Sequence, residues 1–372
     1  MQRINRRDFL KIGLLSAGAL AFISKPDHLF SLQNGVTDFP KGSRLGRVFK
    51  RADVKTKPDQ NSTTVATLYQ DNVVEWQRDV IGTAPDPTST NRKWVETPDG
   101  YVPAIRMQPV QAVLNTPVSS LPQGTEEKGF WAEVTVPYVD ITLDNPPPRA
   151  PLLQTLAADS QPARFYYSQV FWVDDLKTDS QGNMLYHVKE KYGSYGDLFW
   201  VDARGFRPIT DDEISPINPN VTDKKIIVDL THQTLSCYEG KSEVLFSRVS
   251  TGAMFTNEGI PTDAYKTPTG YYYSVNRKYI SIHMASDSKA ASGYELFGVS
   301  WTCIFETGGV ALHSTFWHNN FGEGMSHGCV NINPEDAKFI YRWTMPQTSY
   351  ESGSIEQAGY SGTNVRVIED TL

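Results

Sequence analysis

Ser326-His327-Gly328-Cys329-Val330-Asn331 decides the reading of this chain, because His313-Ser314 stands sixteen residues ahead of the cysteine. A thiol beside a glycine, with a histidine one short loop upstream, supplies the parts of an acyl-transfer site. The thiolate is the nucleophile, and an imidazole must take its proton and later protonate a leaving amine. The glycine lets backbone N–H groups come close to a developing oxyanion. A free thiol is mostly protonated at neutral pH, so it needs a base or a lowered pKa. His313 is the candidate base.

Residue order narrows the class. Papain-like and NlpC/P60 peptidases run Cys before His. Sortase-like enzymes run His before Cys, but over a longer gap and with a Thr-Leu-x-Thr-Cys motif that is absent here. The pattern His313-Ser314-Thr315-Phe316-Trp317, a loop from His318 to Met325, then Ser326 to Asn331 resembles the L,D-transpeptidases of the YkuD family. The likeness runs from Lys224 to Glu369, about two-fifths of the chain.

The resemblance implies a catalytic pair of Cys329 and His313. It implies that the backbone carbonyl of Ser314 holds the imidazole tautomer. The amides of Gly328 and Cys329, with that of His327, are the expected oxyanion donors. His327 is two residues from Cys329 and shares its face in an extended segment. Relatives carry Arg there, so it reads either as substrate or oxyanion support or as packing. Ser326 reads as oxyanion or substrate support, and Asn331 as holding the loop or contacting the substrate. Tyr294 falls where the family has a mobile lid tyrosine; the other reading packs it on Trp301 or Trp317. Trp317 itself is either substrate wall or core.

Composition sets the bounds. Hydrophobic residues make up 39% and aromatics 12%, enough for real cores. The formal net charge of −7 argues against nucleic acid and against an anionic membrane surface. Three cysteines, Cys237, Cys303 and Cys329, cannot form a disulfide framework. Cys237 and Cys303 lie in apolar strand-like runs and read as small core residues. Arg6-Arg7-Asp8-Phe9-Leu10-Lys11 followed by an apolar run to Ile23 is a twin-arginine export pattern over residues 1–25. That run is short for a bilayer span, and it places membrane contact only there.

Turn residues and β-rich runs dominate, so the fold class is mainly β. Residues 26–46 read as a linker. Residues 47–109 resemble a bacterial SH3-like β-barrel, with runs at Thr64–Tyr69, Asn72–Gln77 and Lys93–Glu96. Pro98-Asp99-Gly100 should fold Trp94-Val95-Glu96 onto Tyr101-Val102. Residues 129–208 repeat that texture as a second, SH3-like module, with a hairpin turn at Ser180-Gln181-Gly182-Asn183. Residues 209–223, like 108–128, are Pro-, Thr- and Asp-rich and read as linkers. Residues 224–370 form the catalytic domain, a β-sandwich with short helices. It opens on a hairpin over 225–240, continues through the family-like turn Thr267-Pro268-Thr269-Gly270, and has a helix start at Asn333-Pro334-Glu335-Asp336.

His283, His313, His318, His327 and Cys329 could in principle ligate zinc. Neither Cys-x-x-Cys nor His-Glu-x-x-His spacing occurs, and zinc would quench the nucleophile, so no metal is expected. The resemblance implies no cofactor, a peptidoglycan stem peptide as substrate, carbapenem-type inhibitors, and modules that tether the enzyme to wall polymer. Water, a free D-amino acid or a protein lysine are alternative acceptors. A wall-binding protein with a relic site is the non-enzymatic alternative.

Overall fold

The computed structural model describes residues 36, 38–85, 89–253, 260–286, 293–359 and 361–370. The export pattern lies outside the described residues. Turn chemistry shapes the first module. Pro98-Asp99-Gly100 closes a hairpin that pairs Glu96 with Tyr101 and Thr97 with Gly100. Gly100 has φ +141°, and a Cβ there would sit 2.5 Å from the Lys55 carbonyl oxygen. No other residue fits that approach.

A three-stranded sheet orders Val73–Glu75, Leu45–Val48 and Met107–Val110. A five-stranded sheet orders Thr64–Leu68, Ala52–Lys55, Gly100–Pro103, Lys93–Thr97 and Arg78–Ile81. Val48, Val54, Trp76, Val95, Val102 and Met107 fill the space within. The second module is one seven-stranded sheet running from Arg164–Tyr166 at one edge to Phe206–Pro208 at the other. A helix, Pro151–Ala158, packs on it. Both modules end alike: a strand, a 3₁₀ turn (Ala104–Arg106; Ala203–Gly205) and a last strand.

The last module holds two five-stranded sheets. One orders Ser242–Arg248, Thr234–Glu239, Lys224–Asp229, Asn364–Ile368 and Gly270–Ser274. The other orders Val330–Ile332, Ala311–Ser314, Glu295–Ile304, Arg277–Ala285 and Ser354–Glu356. One core takes Val228 and Val365 from the first sheet and Leu312 and Val330 from the second. The helix Pro334–Trp343 starts where expected, with the Asn333 side chain accepting from the Asp336 amide at 3.0 Å. Cys237 and Cys303 are free thiols buried in this core. Burial pushes both up, away from reactivity.

The linker readings need correction. Thr210 and Glu213 form a reciprocal capping box that starts a short helix, Asp211–Ile214. Ile209 and Ile214 are buried in the core of the last module. Within 108–128, Val118 and Leu121 pack on the core of the second module. Composition was a poor guide here, because a few apolar side chains fasten each stretch. Gly35–Leu372 form one compact unit. Trp131, Val170 and Trp172 of the second module share the core that holds Leu312 and Val330.

Candidate active site

Backbone register builds the site. The strands Ala311–Ser314 and Val330–Ile332 run parallel, pairing Leu312 with Val330 and His313 with Asn331. Side chains two apart share a strand face. Cys329, just before its strand, therefore stands on the same face as His313 and Asn331. The Ser326–Cys329 loop is tied from both sides. Ser326 Oγ accepts the Gly328 amide at 3.0 Å and donates to the Cys329 carbonyl oxygen. Thr267 Oγ1 donates to the Gly328 carbonyl oxygen at 2.8 Å and accepts the Gly252 amide at 2.9 Å. Gly328 itself has φ +124°, a left-handed conformation that favours glycine.

The imidazole of His313 is buried, and its Nδ1–H donates to the Ser314 carbonyl oxygen at 2.9 Å. That bond leaves Nε2 as the lone-pair nitrogen. Burial lowers the His313 pKa to about 4, against a smaller opposite pull from the Ser314 bond. Burial also raises the Cys329 pKa, while a hydrogen bond from the backbone of Ala311 lowers it. The resting pair is thus a neutral imidazole and a thiol. The Ser314 hydroxyl turns away, 2.6 Å from Ser300 Oγ.

The other candidates divide. Trp317 is half-buried, its ring 5.6 Å from that of His313. Tyr294 packs at 5.1 Å on His327 rather than on Trp301 or Trp317. Burial raises its pKa, and the nearby Cys329 adds to the rise. His327 is exposed and also meets Tyr265 edge-on at 4.6 Å. The Gly328 amide is occupied by Ser326, so it is not free to face an oxyanion as it stands. This corrects the expectation that Gly328 donates.

Two residues carry more than sequence reasoning assigned them. Thr267, which the sequence marks only as part of a turn, anchors the nucleophile loop. His318, which the sequence offers only as a possible metal ligand, is held in a hydrogen-bond network. Its Nδ1 accepts the Asn320 amide at 3.2 Å, so its single proton sits on Nε2 and needs an acceptor; the Asn331 side chain, 2.7 Å away, supplies one when its amide is turned to aim Oδ1, otherwise unpartnered, at the ring. Burial lowers its pKa to about 3, helped by His313. Among the described residues, no group of three His, Cys, Asp or Glu is placed to hold a metal ion.

The modules reach the same place. Arg47, in the first module, is buried against Asp71 at 2.8 Å and donates to the Phe316 carbonyl oxygen at 3.0 Å. Glu323, in the loop before Cys329, accepts from Ser89 Oγ and from the Asn91 amide, each at 2.9 Å.

A two-sheet domain that sets a buried neutral histidine on the strand next to a cysteine has the parts of an acyl-transfer enzyme. Residues 223–367 match the YkuD family model, the L,D-transpeptidase catalytic domain, and this part of the chain is a domain of that type. No curated protein matches the chain. Among solved structures it is similar to a cysteine-to-serine mutant of an Enterococcus faecium L,D-transpeptidase, at 21% identity over 40% of this chain and 51% of that one, TM-score 0.29. It is similar to the catalytic domain of the E. faecium enzyme, at 22% identity over 40% and 98%, TM-score 0.28. A third is an L,D-transpeptidase from Mycobacterium smegmatis, at 16% identity over 52% and 80%, TM-score 0.30. The chain spans about half the length of the first of these.

Proposed function

We propose that this protein is an exported peptidoglycan L,D-transpeptidase that forms 3→3 cross-links. The donor is a tetrapeptide stem. Cys329 Sγ attacks the carbonyl carbon of its third residue as His313 Nε2 takes the thiol proton. The C–S bond forms, the C–N bond to D-Ala breaks, and the proton goes to the departing amine. A side-chain amine of a neighbouring stem then attacks the thioester and restores the thiol. The thioester stores the acyl energy, so no cofactor is required outside the cell.

The observation that carries this reading is the parallel register that brings His313 beside Asn331 and puts Cys329 on the same face. The two N-terminal modules are read as SH3-like, since each closes with a strand, a 3₁₀ turn and a last strand. Export is assigned to Arg6 and Arg7. Mass spectrometry of the Cys329 peptide tests the chemistry, after incubation with disaccharide-tetrapeptide and, separately, with a carbapenem. The expected result is one acyl adduct on Cys329 in each case and a 3→3 dimer among the products. Hydrolysed stems alone would make the enzyme a carboxypeptidase, and an unreactive thiol would make the site a relic.

A further inference from the structure

Away from the cysteine, three ionisable side chains are buried together where the second module meets the last. Glu190 belongs to the second module; His283 and Glu295 lie on adjacent strands, Arg277–Ala285 and Glu295–Ile304. Their side chains are 2%, 2% and 4% exposed. His283 Nδ1 lies 2.8 Å from Glu190 Oε2, and Nε2 lies 3.4 Å from Glu295 Oε1. The remaining carboxylate oxygens take backbone amides. Glu190 accepts from Gly298 at 2.7 Å, and Glu295 accepts from Leu152, in the first turn of the module's helix, at 2.7 Å. The rings of Phe297 and Tyr195 pack edge-on to the imidazole at 4.8 and 5.3 Å.

Such a cluster is costly to bury and weak as plain glue. Well-packed apolar groups would hold two modules together at least as well. What it supplies is a defined geometry, and that geometry ends at Tyr294. Glu295 is the next residue in the chain. The Ser286 amide donates to the Tyr294 carbonyl oxygen at 3.0 Å, and the Tyr294 amide donates to Ser286 Oγ at 3.1 Å. Ser286 is three residues beyond His283, whose own amide donates to the Tyr192 carbonyl oxygen of the second module at 2.9 Å. The tyrosine ring rests on His327, and burial and the nearby Cys329 both raise its pKa.

We propose that Glu190, from the second module, is a positioning residue for Tyr294. Through His283 and Glu295 it holds the strand pair that sets this tyrosine beside Cys329. Burial raises the Glu190 pKa. Burial alone would lower that of His283, but the bond and charge of Glu190, with the charges of Glu295 and Asp197, together outweigh it and raise it. An imidazolium between two carboxylates is the state that fits this arrangement, with Asp197 as a further acid acting on the ring.

The inference rests on the acyl-transfer reading of Cys329, and a double-mutant cycle separates the two. The full chain is compared with E190Q, Y294A and the double variant, by alkylation of Cys329 with iodoacetamide and by acylation with a carbapenem. E190Q should change the alkylation rate at least about fivefold in the direction that Y294A changes it. The double variant should match Y294A in both assays, because Glu190 has nothing to position once the ring is gone. Independent, multiplying effects overturn the proposal, as does an E190Q protein that alkylates at the wild-type rate. If E190Q does not fold, E295Q enters the same cycle with the same expectation. A wild-type protein that alkylates but is never acylated refutes the transpeptidase reading, and the alkylation cycle still decides the role of Glu190.

Discussion

A fragment from Asn218 to Leu372 carries every proposed catalytic residue, and its sequence alone suggests an independent domain. The structure predicts that it does not fold. The cut removes Trp131, Val170, Trp172, Ile209 and Ile214 from the core that includes Val228, Leu312 and Val330. An aromatic buries roughly 150–250 Å². At about 25 cal/mol per Å², that is roughly 4–6 kcal/mol for each tryptophan and about 1.5–3 for each aliphatic side chain. Part of that burial is internal to the second module. Counting about half leaves a loss on the order of 6–10 kcal/mol. Polar partners go too. Ser300 Oγ loses the Ser168 carbonyl oxygen at 3.1 Å, and the Tyr350 carbonyl oxygen loses Trp131 Nε1 at 2.8 Å. A domain has about 5–15 kcal/mol in total, so the remainder falls near zero. Circular dichroism melts and a ¹H–¹⁵N spectrum should show no cooperative transition and poor dispersion for 218–372, against a single sharp melt for 36–372. A fragment with a cooperative melt near that of the longer protein, and with normal Cys329 acylation, would refute the shared-core argument.

Three further outcomes are expected. His313 and His318 are buried neutral, with pKa values near 4 and 3 against about 6.5 unfolded, so the unfolded chain binds protons that the native state refuses as pH falls below about 6.5. Stability should therefore drop as pH falls toward 4, partly opposed by His283 and His187, whose pKa values are raised. Urea melts at pH 7 and 4 should show a smaller drop for H318Q than for wild type, and equal drops would refute the assignment. Lys278 Nζ donates to the carbonyl oxygens of Tyr341, Thr344 and Pro346 at 2.6, 2.9 and 2.9 Å while burial lowers its pKa to about 8. K278M should cost about 2–4 kcal/mol in urea denaturation, the unpaired carbonyls outweighing the relief of a buried charge; an unchanged midpoint would count against that. Replacing Arg6 and Arg7 with lysine should hold the protein in the cytoplasm on fractionation, and unchanged export would exclude the twin-arginine route.

Legibility followed the range of each interaction. The Asn333 cap, the Pro98-Asp99-Gly100 turn and the 224–239 hairpin are set by neighbours a few residues apart, and each was readable. His313 and Cys329 were readable because the chemistry needs both types at short spacing. His318 was not, since its role depends on an amide two residues on and on Asn331 across the strand. Glu190 and His283 are 93 residues apart, and nothing local in either segment marks them as a pair. Residues 209–223 misled because composition averages over fifteen positions. Two isoleucines and one capping box decided the outcome.

The neutral resting pair explains why so much structure outside the catalytic sheets converges on one cysteine. A thiol held up by burial and an imidazole held down by burial both favour their neutral forms, since separated charges are penalised in a buried site. On the proposed acyl-transfer reading, proton transfer becomes favourable as charge develops on an acyl group that the surroundings stabilise. Those surroundings must already be in place, because low dielectric strengthens well-aimed dipoles and punishes misplaced ones. Arg47 fixes the Phe316 carbonyl, and Glu323 ties the loop ahead of Cys329 to residues 89–91. Glu190 braces the strands behind Tyr294. An isolated pair of strands could carry the histidine and the cysteine. It could not also supply the contacts from Arg47, Glu323 and Glu190 that fix the surroundings of the cysteine.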